Sequence, residues 1–242
     1  SRGGRSLTSV ADSASIAIYD EAMEAVGLGG FTSTELSKAL AGKRVSLHAS
    51  LGETSEELAG SSTPKDLRTL FELIHLQFAP AMDDSDAYNA FIEAKKVELQ
   101  QAAEQPLQVW LDTVRNVISN YHPGAVRSSL ANIDKASYSV IRRIHDERFN
   151  AGGDFDYFFT GAIDTDSLRL FVEQYIAPLK SMKKREAYKN RHIVPPTGVL
   201  SKDVVIKMQT PQAYMIRVYT GPEAYSQKKA EVMNMLASIL DQ

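Results

Sequence analysis

Imidazole and carboxylate groups are the side chains here that could bind a metal or move a proton. The histidines are His48, His75, His122, His145 and His192. No two stand four residues apart, so no helix can present a histidine pair to one metal ion. His145-Asp146-Glu147 opens like a helical zinc-ligand motif, but no second histidine completes it. It reads as a solvated helix position. His75 lies beside an apolar helical stripe and reads as a half-buried imidazole with a hydrogen-bond partner. His122 precedes Pro123 and reads as loop structure. His48 falls on the polar face of a strand, where alternation predicts exposure.

Carboxylates cluster at Glu53, Glu56 and Glu57, and at Asp83, Asp84 and Asp86. Paired carboxylates do acid–base work only when the fold brings both to one substrate atom. Asp83, Asp84 and Asp86 open a helix, where negative charge is favoured in any case. Both clusters read as structural or solvated. No G-x-S-x-G is present, and Ser62 and Ser181, each three residues before a lysine, lack the motifs that support S-x-x-K chemistry. Gly27-Leu28-Gly29-Gly30 follows a helix rather than a strand, so it ends that helix and cradles no phosphate. The absence of cysteine excludes disulfides and thiolate chemistry. The expectation is a chain with no catalytic, cofactor-binding or metal-ligating residue.

The elements that would position any site follow from the apolar spacing. Apolar residues make up 43% of the 242-residue chain, enough for a real core. A net charge of −3 supplies no basic field for nucleic acid or an anionic membrane, so neither is expected as a partner. The basic run KSMKKR suits the negative end of a preceding helix. No segment has the apolar length of a bilayer span, and no basic-then-apolar leader opens the chain. It opens at Ser1 in a Gly-rich turn, SRGGRS, as an excised piece would. The compartment stays open between the bacterial envelope or periplasm and the cytoplasm.

Residues 9–26 predict a helix with Ile16, Tyr19, Ala22, Met23 and Val26 on one face. Thr32 and Glu35 have capping-box spacing for a short helix ending near Gly42. Val45–Leu51 alternates as a strand, and residues 54–60 predict its hairpin partner. Thr63-Pro64 starts a helix carrying Leu67, Leu70, Phe71, Ile74 and Phe78. Further helices are expected from Ser85, with Tyr88, Phe91, Ile92, Lys95 and Leu99 on one face, and from Pro106, with Trp110 inward. Another spans residues 133–149, with Ile133, Ala136, Val140, Ile141 and Ile144 inward. The aromatic run 155–159 predicts a strand buried on both faces. Asp164 or Asp166 then caps a helix bearing Leu168, Phe171, Val172, Tyr175 and Ile176, closed by Pro178. Residues 180–198 are basic, then proline-rich, as a link would be. Beyond them come two strands, 204–209 and 214–220, and a helix over 226–240. This order predicts an α+β fold, an antiparallel sheet with helices packed on one side.

Four stretches taken together resemble the pitrilysin/insulinase-type, inverted-motif zinc metallopeptidases, specifically the long two-half bacterial members. These are SRGGRSLTSVADSASIAIYDEAMEAVGLGGFTSTELSKALAGKRVSL, GETSEELAGSSTPKDLRTLFELIHLQF, RRIHDERFNAGGDFDYFFTGAIDTDSLRLFVEQYIAPL and PPTGVLSKDVVIKMQTPQAYMIRVYTGP. The resemblance implies repeated α+β domains, of the kind also found in mitochondrial processing peptidase, arranged as two bowl-like halves around a chamber. On that pattern residues 1–179 form one non-catalytic domain lacking its first two strands. Residues 180–200 form an interdomain link, and residues 201–242 the first two strands and helix of the next repeat. The family's H-x-x-E-H belongs on the first helix of its first domain. Here the helix in that position reads DSASIAIYDEAMEAV, with Glu21 and Glu24 but no histidine. The resemblance therefore implies zinc in the catalytic domain of a parent protein and none in this chain. It implies a non-catalytic chamber wall that helps to bind peptide substrate. The partners are the other domains of the same polypeptide and that peptide, with a strand-swapped homodimer as a further possibility. A structural or assembly subunit of the same fold, without peptidase partner, is the alternative.

Overall fold

The computed structural model describes residues 3–125, 127–162, 164–183, 186–206, 210–221 and 225–240. The chain divides into two compact units, Ser1–Val204 and Val205–Gln242.

The first unit is α+β. It opens with a Gly-rich 3-10 turn and two short helices, α1 (Ser13–Ile16) and α2 (Tyr19–Val26). The single helix expected over 9–26 is broken because Ile16, Ile18 and Tyr19 are all buried. Residues two apart lie on opposite sides of an α-helix, so the chain kinks at Ile18 (φ −118°, ψ 6°) and turns both isoleucines inward. Gly27, at φ 115°, ends α2, where a Cβ would meet the Phe31 carbonyl oxygen at 2.0 Å. α3 (Ser33–Ala39) begins with the expected reciprocal cap between Thr32 and Glu35.

β1 (Val45–Leu51) pairs antiparallel with β2 (Glu56–Ser62), from Val45 opposite Ser62 to Leu51 opposite Glu56. β2 starts two residues later than the spacing predicts, after a bend at Glu53 and Thr54 and a bridge residue at Ser55. A 3-10 turn at Pro64–Asp66 leads into α4 (Leu67–Gln77), which packs against the hairpin. α5 (Ser85–Ala103), α6 (Pro106–Ile118) and α7 (Tyr138–Arg148) follow. α8 (Thr165–Phe171), capped by Asp164 on the Ser167 N–H at 2.8 Å, widens into a π turn at Val172–Ile176.

Two apolar cores result. One gathers Ile16, Ile18, Tyr19 and Val26 with Leu51, Tyr88, Ile141, Ile144 and Phe149. The other gathers Leu67, Leu70, Phe71 and Ile74 of α4 with Ile176. Phe71 is fully buried, between Phe159 at 5.1 Å and Phe171 at 5.6 Å between ring centroids.

Residues 155–159 correct an expectation. They are extended but join no ladder, and the sheet of the described residues has two strands. Nor is the segment buried on both faces. Phe155, Tyr157 and Phe159 turn inward, and Phe158 is 88% exposed. Rings replace the ladder: Phe155 meets Phe78 edge-on at 5.0 Å, and Tyr157 stacks along Phe159 at 6.5 Å.

In the second unit the expected helix forms as α9 (Gln227–Leu240), but the expected strand pair does not. Residues 214–220 are in no ladder, nor are 204–206 in the part of the other strand that falls among the described residues; 207–209 lie outside them. Val205 is 97% and Met215 84% exposed. An isolated two-stranded hairpin is marginal in water without a face to pack on.

Candidate functional site

The five histidines do not converge. Among the described residues no group of three or more His, Cys, Asp or Glu side chains could hold a metal ion. His48 is exposed on β1. His75 is exposed rather than half-buried, yet its Nδ1 lies 2.8 Å from the Tyr175 carbonyl oxygen. His122 holds its own loop, its Nδ1 accepting the Gly124 N–H at 2.9 Å.

His145 overturns its expectation of a solvated position, for it is 2% exposed. It faces Tyr19 and the chain beyond α4, neither of which is near it in sequence. Its Nε2 lies 3.3 Å from the Ala79 carbonyl oxygen, which can only accept, and its Nδ1 lies 3.1 Å from the Tyr19 hydroxyl. The neutral tautomer protonated on Nε2 satisfies both contacts. Burial lowers the His145 pKa; the Ala79 hydrogen bond and the Asp146 charge oppose that shift.

Glu56 is structural rather than solvated. Its cluster reads as structural or solvated, and Glu53 and Glu57 are exposed, but Glu56 is 1% exposed. Its Oε1 accepts the Gly4 N–H at 2.8 Å and the Arg148 guanidinium at 2.7 Å. Arg148 also reaches Glu186. Burial works against the Arg148 charge, but Glu186 and Glu56 hold its pKa above the ordinary value. The aspartates are structural: Asp84 caps α5 on the Ala87 N–H at 2.9 Å, and Asp83 pairs with Arg142 at 2.9 Å.

The carboxylates of α2 do not fit a zinc ion. Glu21 on α2 lies 2.8 Å from the Lys95 ammonium, which also holds Glu98 at 2.9 Å. Lys95 is buried, and its expected place on the inner face of α5 holds. Burial pulls its pKa down, but the two carboxylates raise it above the ordinary value. A cation already occupies the carboxylate that a metal would need, and Glu24 is exposed without an imidazole beside it.

One cleft gathers polar groups from distant parts of the first unit. It measures about 130 Å³ and is lined by the Gly-rich turn (Arg5, Ser6), the hairpin turn (Glu53, Thr54), Gly124 and the 188–193 stretch. Backbone N–H groups of Gly3, Arg5 and Ser6 donate to Thr54, Gly52 and Glu53 at 2.7, 2.9 and 2.9 Å, which docks the turn on the hairpin. Gly4, at φ 55°, is required there, since a Cβ would lie 2.4 Å from the Gly52 carbonyl oxygen. Arg191 crosses over the turn, its Nη2 donating to the carbonyls of Thr8 (2.6 Å) and Arg5. The Lys189 N–H donates to Ser6 Oγ at 3.0 Å. Sequence reasoning missed this cleft. The Gly-Gly pair was its only signal, because the other groups come from four separate stretches.

No family model matches the chain, and no curated protein matches its sequence. Solved structures do resemble it. The periplasmic protease PqqL from Escherichia coli has a TM-score of 0.63 and 13% identity, over 81% of this chain and 21% of that one. A protease from Helicobacter pylori has a TM-score of 0.59 and 13% identity, over 80% of this chain and 46% of that one. The ferredoxin protease FusC, as a point mutant in complex with Arabidopsis ferredoxin, has a TM-score of 0.54 and 16% identity, over 75% and 20%. At such identities the likeness is one of fold. The chain spans from about a fifth to less than half of these proteases.

Proposed function

We propose that this chain is a non-catalytic segment of a zinc-dependent metalloendopeptidase, forming part of the wall of a substrate chamber and helping to hold an extended peptide. One observation carries the reading: the fold matches parts of proteases, while Glu21, at the zinc-motif position, is held by Lys95. Residues 1–179 are then one peptidase-like domain, and residues 201–242 the start of the next repeat. The other domains of the same polypeptide are its first partners, with zinc in the catalytic one. Residues 155–160, which join no ladder, suit a peptide that adds as a strand. Residues 204–206 and 214–220, also in no ladder, are the segments that a second copy would pair with in a strand-swapped dimer. FusC in complex with ferredoxin is a precedent for a protein ligand on this fold.

The test uses the whole chain with fluorescein-labelled casein peptides and added zinc. Peptide binding, read by anisotropy, without cleavage is the expected result. Cleavage abolished by a chelator overturns the non-catalytic reading. A folded chain that binds no peptide favours the assembly-subunit alternative.

A further inference from the structure

The cleft at the Gly-rich turn has a charge arrangement that a passive wall does not need. Arg5 Nε and Nη2 both donate to the Leu51 carbonyl oxygen, at 3.1 and 2.8 Å. Arg191 Nη2 is held by Thr8 and by the Arg5 carbonyl. Lys189 stands in the same wall. All the oxygens gripping the two guanidinium groups are uncharged, and among the described residues neither arginine, nor Lys189, forms an ion pair. Glu53 is the one acid among the residues lining the cleft, beside the three basic residues Arg5, Lys189 and Arg191. Burial first, and then the charge of Arg5, push the Arg191 pKa down, outweighing the opposite pull of Glu53.

We propose that this cleft binds a carboxylate, and that in the peptide-holding role it anchors an acidic side chain of the bound peptide. The fixed guanidinium planes are already positioned by the backbone, so little side-chain entropy is lost when a carboxylate enters. A volume of about 130 Å³ is several times the ~10–15 Å³ that admits one water, enough for a carboxylate with part of its hydration shell. The peptide half of this assignment rests on the function proposed above; the anion half does not.

The experiment is an amide NMR titration of the whole chain with three probes. They are a capped Gly-Glu-Ala-Glu-Gly peptide, its glutamine counterpart, and sodium acetate. The acidic peptide is expected to bind at least tenfold more tightly than the glutamine one. Its shifts should fall on residues 3–8 and 188–193, and its affinity should drop as salt rises from about 0.05 to 0.5 M. Arg191→Gln could loosen the turn itself, so Lys189→Ala, at an exposed side chain, is the deciding variant. It should weaken binding about threefold at an unchanged melting temperature. Equal affinity for both peptides, or shifts elsewhere, sinks the anion site and spares the peptide-holding reading. Acetate shifts at the cleft with neither peptide binding do the reverse. Silence from all three probes at the cleft overturns the proposal.

Discussion

Two buried ionisable residues dominate at the residue scale. Glu56 is placed by Gly4 and Arg148, partners 52 and 92 residues away. Breaking a buried pair by removing one partner costs about 3–5 kcal/mol, because the other charge is left uncompensated. Here Glu186 still reaches Arg148. Glu56→Gln should therefore lose stability near the low end, about 3 kcal/mol, measured by urea unfolding at neutral pH. The second residue, His145, couples stability to pH. Burial lowers its pKa in the folded state below the ordinary value of 6.5, so it stays neutral where the unfolded chain has bound a proton. Its contribution is complete above about pH 6.5 and is lost as pH falls from there towards its lowered value. Stability should fall as the pH drops below about 6.5, with a slope of at most ~1.4 kcal/mol per pH unit. His145→Gln should flatten that slope. A slope that survives the substitution assigns the proton to another group. Neither residue's burial was legible in its own neighbourhood, since burial was conferred by distant stretches of chain.

At the element scale, periodicity was a good guide where one helix buries one stripe. The α4 stripe Leu67, Leu70, Phe71 and Ile74 is buried as its spacing predicts, and Thr32 and Asp164 cap the helices they precede. A helix closes its hydrogen bonds within itself, so local sequence suffices. A strand needs a neighbour, and residues 155–159 have none in the sheet, so strand-like composition yielded an extended segment with rings in place of a ladder. A buried ring and an exposed one differ in energy. Phe71→Ala empties a fully buried ring site and should cost about 3–5 kcal/mol in thermal or urea unfolding. Phe158→Ser, at a ring 88% exposed, should change stability by less than about 0.5 kcal/mol. If residues 155–160 receive a peptide strand, the same substitution should weaken casein-peptide binding while leaving the melting temperature in place.

At the scale of the whole molecule, the proline-rich stretch expected as a bare link carries tertiary contacts. Lys189 and Arg191 hold the Gly-rich turn, and Ser1–Val204 forms one compact unit. Exposed backbone outside a ladder is the preferred substrate of a protease, whereas a segment tied down by hydrogen bonds resists. Limited trypsinolysis should cut at Arg217 before it cuts at Lys189 or Arg191. Mass spectrometry of the first fragments checks this. Early cleavage at Lys189 would mean that the Arg191 clamp does not hold in solution.

The sequence by itself determined the buried stripe of α4, the caps of α3 and α8, the β1–β2 hairpin and the α+β class, because each rests on contacts within one turn or one short loop. It also determined the lack of a histidine pair, since spacing alone forbids one on a helix. Only the tertiary structure decided that His145 and Glu56 are buried, that α2 breaks from α1 at Ile18, and that Arg5, Lys189 and Arg191 share one cleft. Those outcomes depend on which distant segments meet. Desolvation and charge proximity act through space, and one chain's residue pattern records only the side a residue faces, not what it will find there.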